Sequence, residues 1–187
     1  MRAMTKLLAT CFMIGLASTA QAAPFKLTSA DFKEGGSMKD KNTLNTFGCS
    51  GGNESPALEW ANPPAGTKSF AILVHDPDAP TGGSGFWHWV VYNIPADTKS
   101  LAAGAGKADG SALPKGATQG NTDLGSPGYA GPCPPPGTPH HYNFTIYALK
   151  VDKLDVPANA TAAIVGFTIN ANMLGKAKLT GMYGRKK

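Results

Sequence analysis

Three apolar runs, separated by segments rich in glycine and proline, constrain the fold of this chain most strongly. Residues 69–75 are almost continuously apolar, which is typical of a strand that is covered on both faces. Residues 86–94 are rich in aromatic and β-branched side chains and end at a proline. Residues 142–149 alternate with period two, as a strand with one more deeply buried face does. The sequence therefore predicts a mainly β protein.

Weaker signals add three short strands and a long surface segment. Residues 25–27, 57–60 and 179–183 have strand-like composition. Residues 99–126 are polar and rich in glycine with little periodicity, so we expect them to run along the surface.

The strongest helix signal covers residues 159–174. Its apolar side chains recur at helical spacing, as Val165 and Ile169 illustrate. Asn159 is a suitable N-cap and Gly175 a suitable terminator. The chain is therefore predicted to be α+β, with its helix close to the C-terminus.

The first 22 residues have the organisation of a secretory signal peptide. Arg2 and Lys6 precede an apolar stretch over residues 7–17, and residues 20–22 read Ala-Gln-Ala, a cleavage site. The apolar stretch is too short to span a bilayer comfortably, and no later segment is long enough. We expect a periplasmic or secreted protein without an integral membrane segment, in which residues 23–187 form one domain.

The charge of the chain gives no indication of a nucleic-acid partner. The formal net charge is +5, and cleavage removes Arg2 and Lys6, which lowers it to +3. The remaining basic residues are scattered, apart from a tail at 185–187 that we expect to be solvated. Such a small excess is not a nucleic-acid signature.

Two cysteines remain after cleavage, Cys49 and Cys133. An even count in an oxidising compartment favours a disulfide, and both residues lie in loops rich in glycine and proline. Two free thiols are the alternative. A metal site is not predicted, because neither cysteine has a C-x-x-C partner.

Two aspartates follow the first apolar run. Asp76 and Asp78 alternate with Pro77, and Pro80 stiffens the same turn, so the carboxylates are presented with little loss of entropy. Charged groups at the ends of apolar strands cost free energy unless they are paired or used, which favours a functional site here. The alternative is that the aspartates only accept hydrogen bonds from loop amides.

Histidines accompany the other two strands. His88 lies between Trp87 and Trp89, which we interpret as core or pocket-wall side chains. His140 and Tyr142 share one face of their strand, whereas the intervening His141 points the other way. We leave the nearby His75 out of the site.

These segments together resemble a known family. Asp-Pro-Asp-Ala-Pro at 76–80, Trp-His-Trp at 87–89 and Gly-Pro-Cys-Pro-Pro-Pro-Gly at 131–137, followed by His-His-Tyr at 140–142, resemble the phosphatidylethanolamine-binding protein (PEBP) family, also called Raf kinase inhibitor-like. The bacterial YbhB/YbcL-type branch is most similar, and the resemblance covers nearly all of residues 25–183. It implies a large antiparallel sheet packed on a smaller one, with one or two short helices near the C-terminus.

The resemblance also implies a small anion-binding pocket. The matching positions are Asp76, Pro77, Asp78, Pro80, Phe86, His88, Gly131, Pro132, His140 and Tyr142. Imidazole and phenol groups supply donors, and backbone amides of the turns at Gly131 and Gly137 would add more. Asp76 is expected to accept from an imidazole and favour its charged form, or to receive an ethanolamine ammonium.

The implied function is non-enzymatic binding of a phosphate-like group or phospholipid head group, without a cofactor. Family relatives also act as kinase or protease inhibitors, and a homodimer is expected for this branch. Two alternatives stay open. The first is a metal-dependent or general-base hydrolase using His88, His140 and Asp76, although neither H-E-x-x-H nor G-x-S-x-G occurs. The second is a partner-binding protein with a vestigial pocket.

Overall fold

The structure, a computed structural model, describes residues 23–186, so the predicted signal peptide lies outside the described residues. Within this range the strands are β1 (Lys26–Ser29), β2 (Gly36–Ser37), β3 (Leu58–Ala61), β4 (Ser69–Asp76), β5 (Phe86–Pro95), β6 (Ser100–Leu101), β7 (Thr118–Gln119), β8 (His140–Leu149) and β9 (Met173–Tyr183). The α-helix, α1, spans Ala162–Asn172, and a 3-10 turn spans Asp40–Asn42.

These strands form a large sheet and a small one. The six-stranded sheet has the order β2-β9-β8-β4-β5-β7, and the three-stranded sheet has the order β1-β3-β6. All strand pairs are antiparallel except the short parallel pair of β2 with β9. The predicted fold class is confirmed, since a large, mainly antiparallel sheet faces a smaller one and the helix lies near the C-terminus.

Strand β4 lies between two apolar layers. On one face Phe70 packs against Trp60 of the small sheet, with ring centroids 5.5 Å apart. On the other face Ala71 and Leu73 join the cluster that includes Val165 of α1. Because both faces are buried, alternation with polar residues would place polar groups in a core, which explains the nearly continuous apolar run.

The helix is shorter than predicted at both ends. Asn159 lies in a turn and is not the N-cap; Thr161 takes that role, and its hydroxyl accepts from the amide of Ile164 at 3.3 Å. Gly175 does not end the helix, because the chain passes directly into β9 at Met173 and pairs with β8 over residues 173–183. The described residues include no helix long and apolar enough to cross a membrane.

Residues 99–126 are more tightly integrated than a surface excursion. They contribute β6, which pairs with β3, and β7, which pairs with β5. Leu101 and Ala105 are buried in the core between the sheets. Isolated apolar side chains, including Leu113 and Ala117 packed against the same core, therefore anchor a segment whose composition is polar.

The basic tail also differs from the prediction, because Arg185 is bound to the protein rather than solvated. Its guanidinium donates from Nη2 to the carbonyl of Gly48 at 2.9 Å and from Nη1 to the carbonyl of Pro134 at 3.5 Å. Its own carbonyl accepts from the amide of Gly137 at 3.1 Å. Lys186 remains exposed.

Candidate functional site

A cavity of about 300 Å³ lies at the ends of β4, β5 and β8. Four polar side chains of these strands line it: Asp76, His88, His140 and Tyr142. Most of the remaining wall is apolar and comes from loops. The cavity therefore combines a small polar cluster with largely apolar walls.

Asp76 is the acceptor at the centre of the polar cluster. Only 3% of the residue is exposed, and Oδ1 accepts from the amide of Asp78 at 2.8 Å. Oδ2 lies 2.8 Å from Nδ1 of His140. In this contact Nδ1 of His140 donates to the carboxylate oxygen, which leaves Nε2 as the ring nitrogen open to another partner. This contact matches the expected role of Asp76 in orienting an imidazole.

His88 is held by the backbone. Its Nδ1 donates to the carbonyl of Ala130 at 2.6 Å, and its Nε2 lies 4.0 Å from Oδ2 of Asp76. Burial lowers the pKa of His88, although the Ala130 carbonyl and the Asp76 carboxylate both favour the charged form. At this imidazole Asp76 favours the charged form, as expected, but desolvation outweighs it and sets the net direction of the pKa.

Tyr142 brings a buried hydroxyl without a hydrogen-bond partner among the described residues. The residue is 1% exposed, and its ring meets that of His88 edge-on at 5.1 Å. Burial, then the charge of the nearby Asp76 carboxylate and a side-chain interaction with it, raise the pKa of Tyr142, although no contact of the hydroxyl within the described residues reaches full hydrogen-bond geometry. The hydroxyl therefore stays protonated and is available as a donor.

Seven of the ten predicted ligand-binding residues line the cavity, namely Asp76, Pro80, Phe86, His88, Gly131, His140 and Tyr142. The other three, Pro77, Asp78 and Pro132, do not. Asp78 turns to the opposite face of the sheet, where Oδ2 lies 2.7 Å from both the amide and Nδ1 of His141. The Pro132 carbonyl accepts from Leu44, which joins two loops. These residues support the turns.

The backbone amides expected to bind an anion already have partners. The amide of Gly131 donates to Oδ1 of Asn53 at 2.8 Å, and that of Gly137 donates to the Arg185 carbonyl at 3.1 Å. These two glycine amides are therefore not free to bind an anion. Gly131 has a different role, because a Cβ there would collide with the backbone of Asn42 and its neighbours.

The predicted disulfide between Cys49 and Cys133 is present, with the two Cα atoms 6.0 Å apart. Cys133 lines the cavity together with Phe47 and Leu124, two apolar side chains that are not among the predicted site residues. Phe47 lies two residues before a cysteine, and this proximity was the available signal. Leu124 carried none, since it lies in the polar segment.

The polar cluster does not have the form of a metal centre. Within residues 23–186, no group of three or more His, Cys, Asp and Glu side chains is placed to hold a metal ion. His88 and His140 both direct Nδ1 to protein acceptors. The arrangement suits hydrogen bonding and proton exchange.

Comparison with known proteins agrees with this architecture. Residues 28–184 match the family model described as Phosphatidylethanolamine-binding protein. YbcL of Escherichia coli (strain K12) is 47% identical over 96% of this chain and 98% of its own length. YbhB of the same strain is 46% identical over 84% of this chain and 99% of its own. The chain therefore belongs to the phosphatidylethanolamine-binding protein family.

Solved structures support the same assignment. The crystal structure of E. coli YbcL, described as a new member of the mammalian PEBP family, matches with a TM-score of 0.85 and 48% identity, covering 88% of this chain and 100% of that one. A PEBP homologue from Chlamydia trachomatis matches with a TM-score of 0.73 and 30% identity, covering 87% and 98%. The resemblance inferred from the three motifs is confirmed.

Proposed function

We propose that this protein is an exported, non-enzymatic binding protein whose cavity takes a small phosphate-like anion, either free or as a phospholipid head group. One observation carries the proposal: Tyr142, which lines the cavity, has a buried donor hydroxyl without a hydrogen-bond partner among residues 23–186. A buried polar group in this state costs free energy that a bound acceptor would recover. The apolar walls suit the organic part of a phosphate ester.

The charge of the cavity determines how an anion binds. Asp76 is a buried carboxylate, burial lowers the pKa of His88, and the amide of Gly131 is occupied. The free cavity therefore offers little positive charge near neutral pH. Protonation of an imidazole at Nε2 supplies both charge and a further donor. Anion binding on this proposal takes up a proton and strengthens as the pH falls through the histidine range.

Isothermal titration calorimetry of residues 23–187 tests this directly, with inorganic phosphate and phosphoethanolamine at pH 5.5 and 7.5. Binding that is tighter at pH 5.5 and takes up protons, measured in buffers of different ionisation enthalpy, is expected. Tyr142→Phe removes only the hydroxyl and should weaken binding. Tyr147→Phe, outside the cavity, is the matched control. Equal affinity at the two pH values would contradict the proton-coupled binding.

One contact favours the hydrolase alternative, because the pair of Asp76 with His140 has the form of an oriented general base. Two other observations weigh against it. Cys133 is oxidised, which removes the thiol nucleophile, and the Gly131 amide that would stabilise an oxyanion donates to Asn53 instead.

Export is supported by three independent features. Residues 1–22 have signal-peptide organisation, a disulfide joins Cys49 to Cys133, and the relative LppC of Mycobacterium tuberculosis, 37% identical over 87% of this chain and 73% of its own length, is named as a lipoprotein candidate. Mass spectrometry of the protein purified from the periplasm or medium should show an N-terminus at Ala23. An uncleaved cytoplasmic product would contradict export.

A kinase- or protease-inhibitor role would require a protein partner at the mouth of the cavity. Phe47 and Leu124 favour this surface, because they line the cavity and yet are 74% and 42% exposed. A Phe47→Ser variant should abolish inhibition of any target enzyme without lowering the melting temperature, whereas the exposed Phe167 on α1, changed to serine, should not affect inhibition.

The homodimer expected for this branch would use a different surface. The outer face of α1 exposes Ile164 and Phe167, and the helix carries no ionisable residue. Light scattering coupled to size exclusion should give a dimer mass that Phe167→Asp reduces to that of a monomer. A monomer mass for the unmodified protein would contradict the proposed dimer.

A further inference from the structure

One wall of the cavity is built from two loops rather than from strands. Residues 44–49 and 131–137, here called the loop wall, contribute Phe47, Cys133 and Pro134 to the cavity lining. Three of the cavity's polar groups sit on the rigid strands β4 and β8. The shape of the cavity on its open side therefore depends on whatever holds these two loops in place.

The backbone of the loop wall is strained at its most exposed aromatic side chain. Phe47 has φ of 53°, in the left-handed region, and is 74% exposed. The other non-glycine residues with positive φ among the described residues are Asn53, Asn62 and Asn93, and asparagine tolerates this conformation far better than phenylalanine. Phe47 therefore needs outside contacts to keep its conformation.

Arg185 supplies contacts to both loops at once. Its Nη2 donates to the Gly48 carbonyl at 2.9 Å, directly after Phe47, and its Nη1 donates to the Pro134 carbonyl at 3.5 Å. Nη1 also lies 3.9 Å from Sγ of Cys133. A planar guanidinium can reach two carbonyls with one group, which a lysine ammonium on a flexible stem does poorly. The base of the side chain follows β9 by two residues, so the contacts start from the sheet.

The disulfide joins the same two loops. Cys49 and Cys133 lie next to the carbonyls that Arg185 binds, and the amide of Leu44 donates to the Pro132 carbonyl at 3.0 Å across the gap. Besides this backbone hydrogen bond, two side-chain links therefore join the loop wall, one a covalent bond and the other a cation. Because both side-chain links hold the same two loops together, the loops should stay in place when either link alone is lost.

We propose that Arg185 is a positioning residue that holds the loop wall against the cavity and keeps it formed when the Cys49–Cys133 disulfide is reduced. The positioning itself is independent of the ligand, whereas its effect on affinity rests on the proposed anion-binding function. Anion affinity in a reducing environment then depends on Arg185, while in an oxidising environment it depends on it only weakly.

Hydrogen exchange followed by NMR tests the positioning without any ligand. The reporter is the Leu44 amide, which bonds across the two loops. Arg185→Ala should speed its exchange by less than about tenfold with the disulfide intact, and so should the Cys49→Ser/Cys133→Ser pair with Arg185 intact. When all three substitutions are combined, the exchange rate of the Leu44 amide should increase by more than the product of the two separate increases. Lys186→Ala, which removes the neighbouring exposed charge, is the control.

Three outcomes would overturn the proposal. The first is that, after reduction of the disulfide, the Leu44 amide exchanges at the same rate in the Arg185→Ala and Lys186→Ala proteins. The second is a combined variant whose effect equals the product of the separate effects. The third is that Arg185→Lys protects the Leu44 amide from exchange as well as arginine does, since a positive charge without the planar guanidinium would then suffice. If the combined variant does not fold, chemical reduction of the Arg185→Ala protein gives the same comparison.

Phosphate calorimetry on the same proteins separates the two proposals. Weaker phosphate binding by reduced Arg185→Ala, with reduced Lys186→Ala unaffected, is the expected result. If the unmodified protein binds no phosphate, the proposed function fails while the exchange data still decide the role of Arg185. If phosphate binds equally to both reduced variants, Arg185 does not shape the cavity.

Discussion

Replacing Tyr142 by phenylalanine should make the free protein more stable and a poorer binder at the same time. The hydroxyl of this 1% exposed residue has no hydrogen-bond partner in the part of the chain that the structure describes, and a buried unsatisfied group of this kind costs about 1–3 kcal/mol. Phenylalanine retains the ring and its contact with His88 while removing that cost. The free energy of unfolding should rise by about 1 kcal/mol, which corresponds to roughly 2–4 °C in Tm for a domain of this size.

Tyr129 provides the matched control for this substitution. It is also buried, at 5% exposure, but its hydroxyl donates to the Asn42 carbonyl at 3.0 Å. Tyr129→Phe should therefore lower the free energy of unfolding by about 1–2 kcal/mol, since it strands a buried acceptor. The same atom is removed in both variants, and the signs of the two effects should be opposite.

Urea denaturation followed by tryptophan fluorescence measures both effects, and phosphate calorimetry measures the functional loss. A hydrogen bond to a charged ligand is worth about 1.5–3 kcal/mol, so Tyr142→Phe should weaken phosphate binding by roughly 10- to 100-fold. If Tyr142→Phe destabilises the protein as much as Tyr129→Phe, the hydroxyl has a partner in the free protein and the reasoning is refuted.

Other predictions concern pH, packing and the disulfide. The pKa of His88 in the folded protein lies below its ordinary 6.5, so as the pH drops below about 6.5 the unfolded chain binds a proton that the folded protein does not, and the free energy of unfolding should fall. Urea titrations from pH 5 to 8 should show a smaller fall for His88→Gln. An equal fall in the two proteins would exclude His88 as the cause. Gly131→Ala should lower Tm sharply because its Cβ meets backbone, whereas Gly166→Ala in α1, where a Cβ has ordinary contacts, should be neutral or stabilising by up to about 1 kcal/mol; similar melting curves would contradict the packing argument. Reducing the disulfide, which spans 84 positions, should cost about 4–5 kcal/mol of unfolding free energy in denaturation with and without reductant, and a loss below about 1 kcal/mol would show that the reduced unfolded chain is already constrained.

The sequence predicts the parts of this fold that depend on local patterns. The three long strands were recognisable because burial on one or both faces dictates residue type along each of them. The end of the helix could not be recognised in this way, since residues 173–178 pair with β8, a strand distant in sequence, instead of continuing the helix. The same residues carry no local signal that distinguishes a final helical turn from the first residues of a strand.

The candidate site divides in a similar way. Side chains on strands were placed correctly, because the alternation along β8 puts His140 and Tyr142 on the cavity face and His141 on the other. The hydrogen bonds of the loop backbone were not predicted correctly, because whether the Gly131 amide is free depends on Asn53, which is 78 residues away. Arg185 was misjudged for the same reason: its partners are carbonyls, and every residue has one.

The position of β9 within the large sheet has a consequence for biogenesis. This strand lies between β2 and β8, so residues near the start of the domain and residues near its end meet in one sheet, at Gly36–Gly181 and Ser37–Met182. A ribosome must have released residues 173–183 before that sheet can close, and only then can the chain present a guanidinium to both loops. Folding of the large sheet that waits for this last strand would keep the chain unfolded during synthesis, which is compatible with the export proposed above.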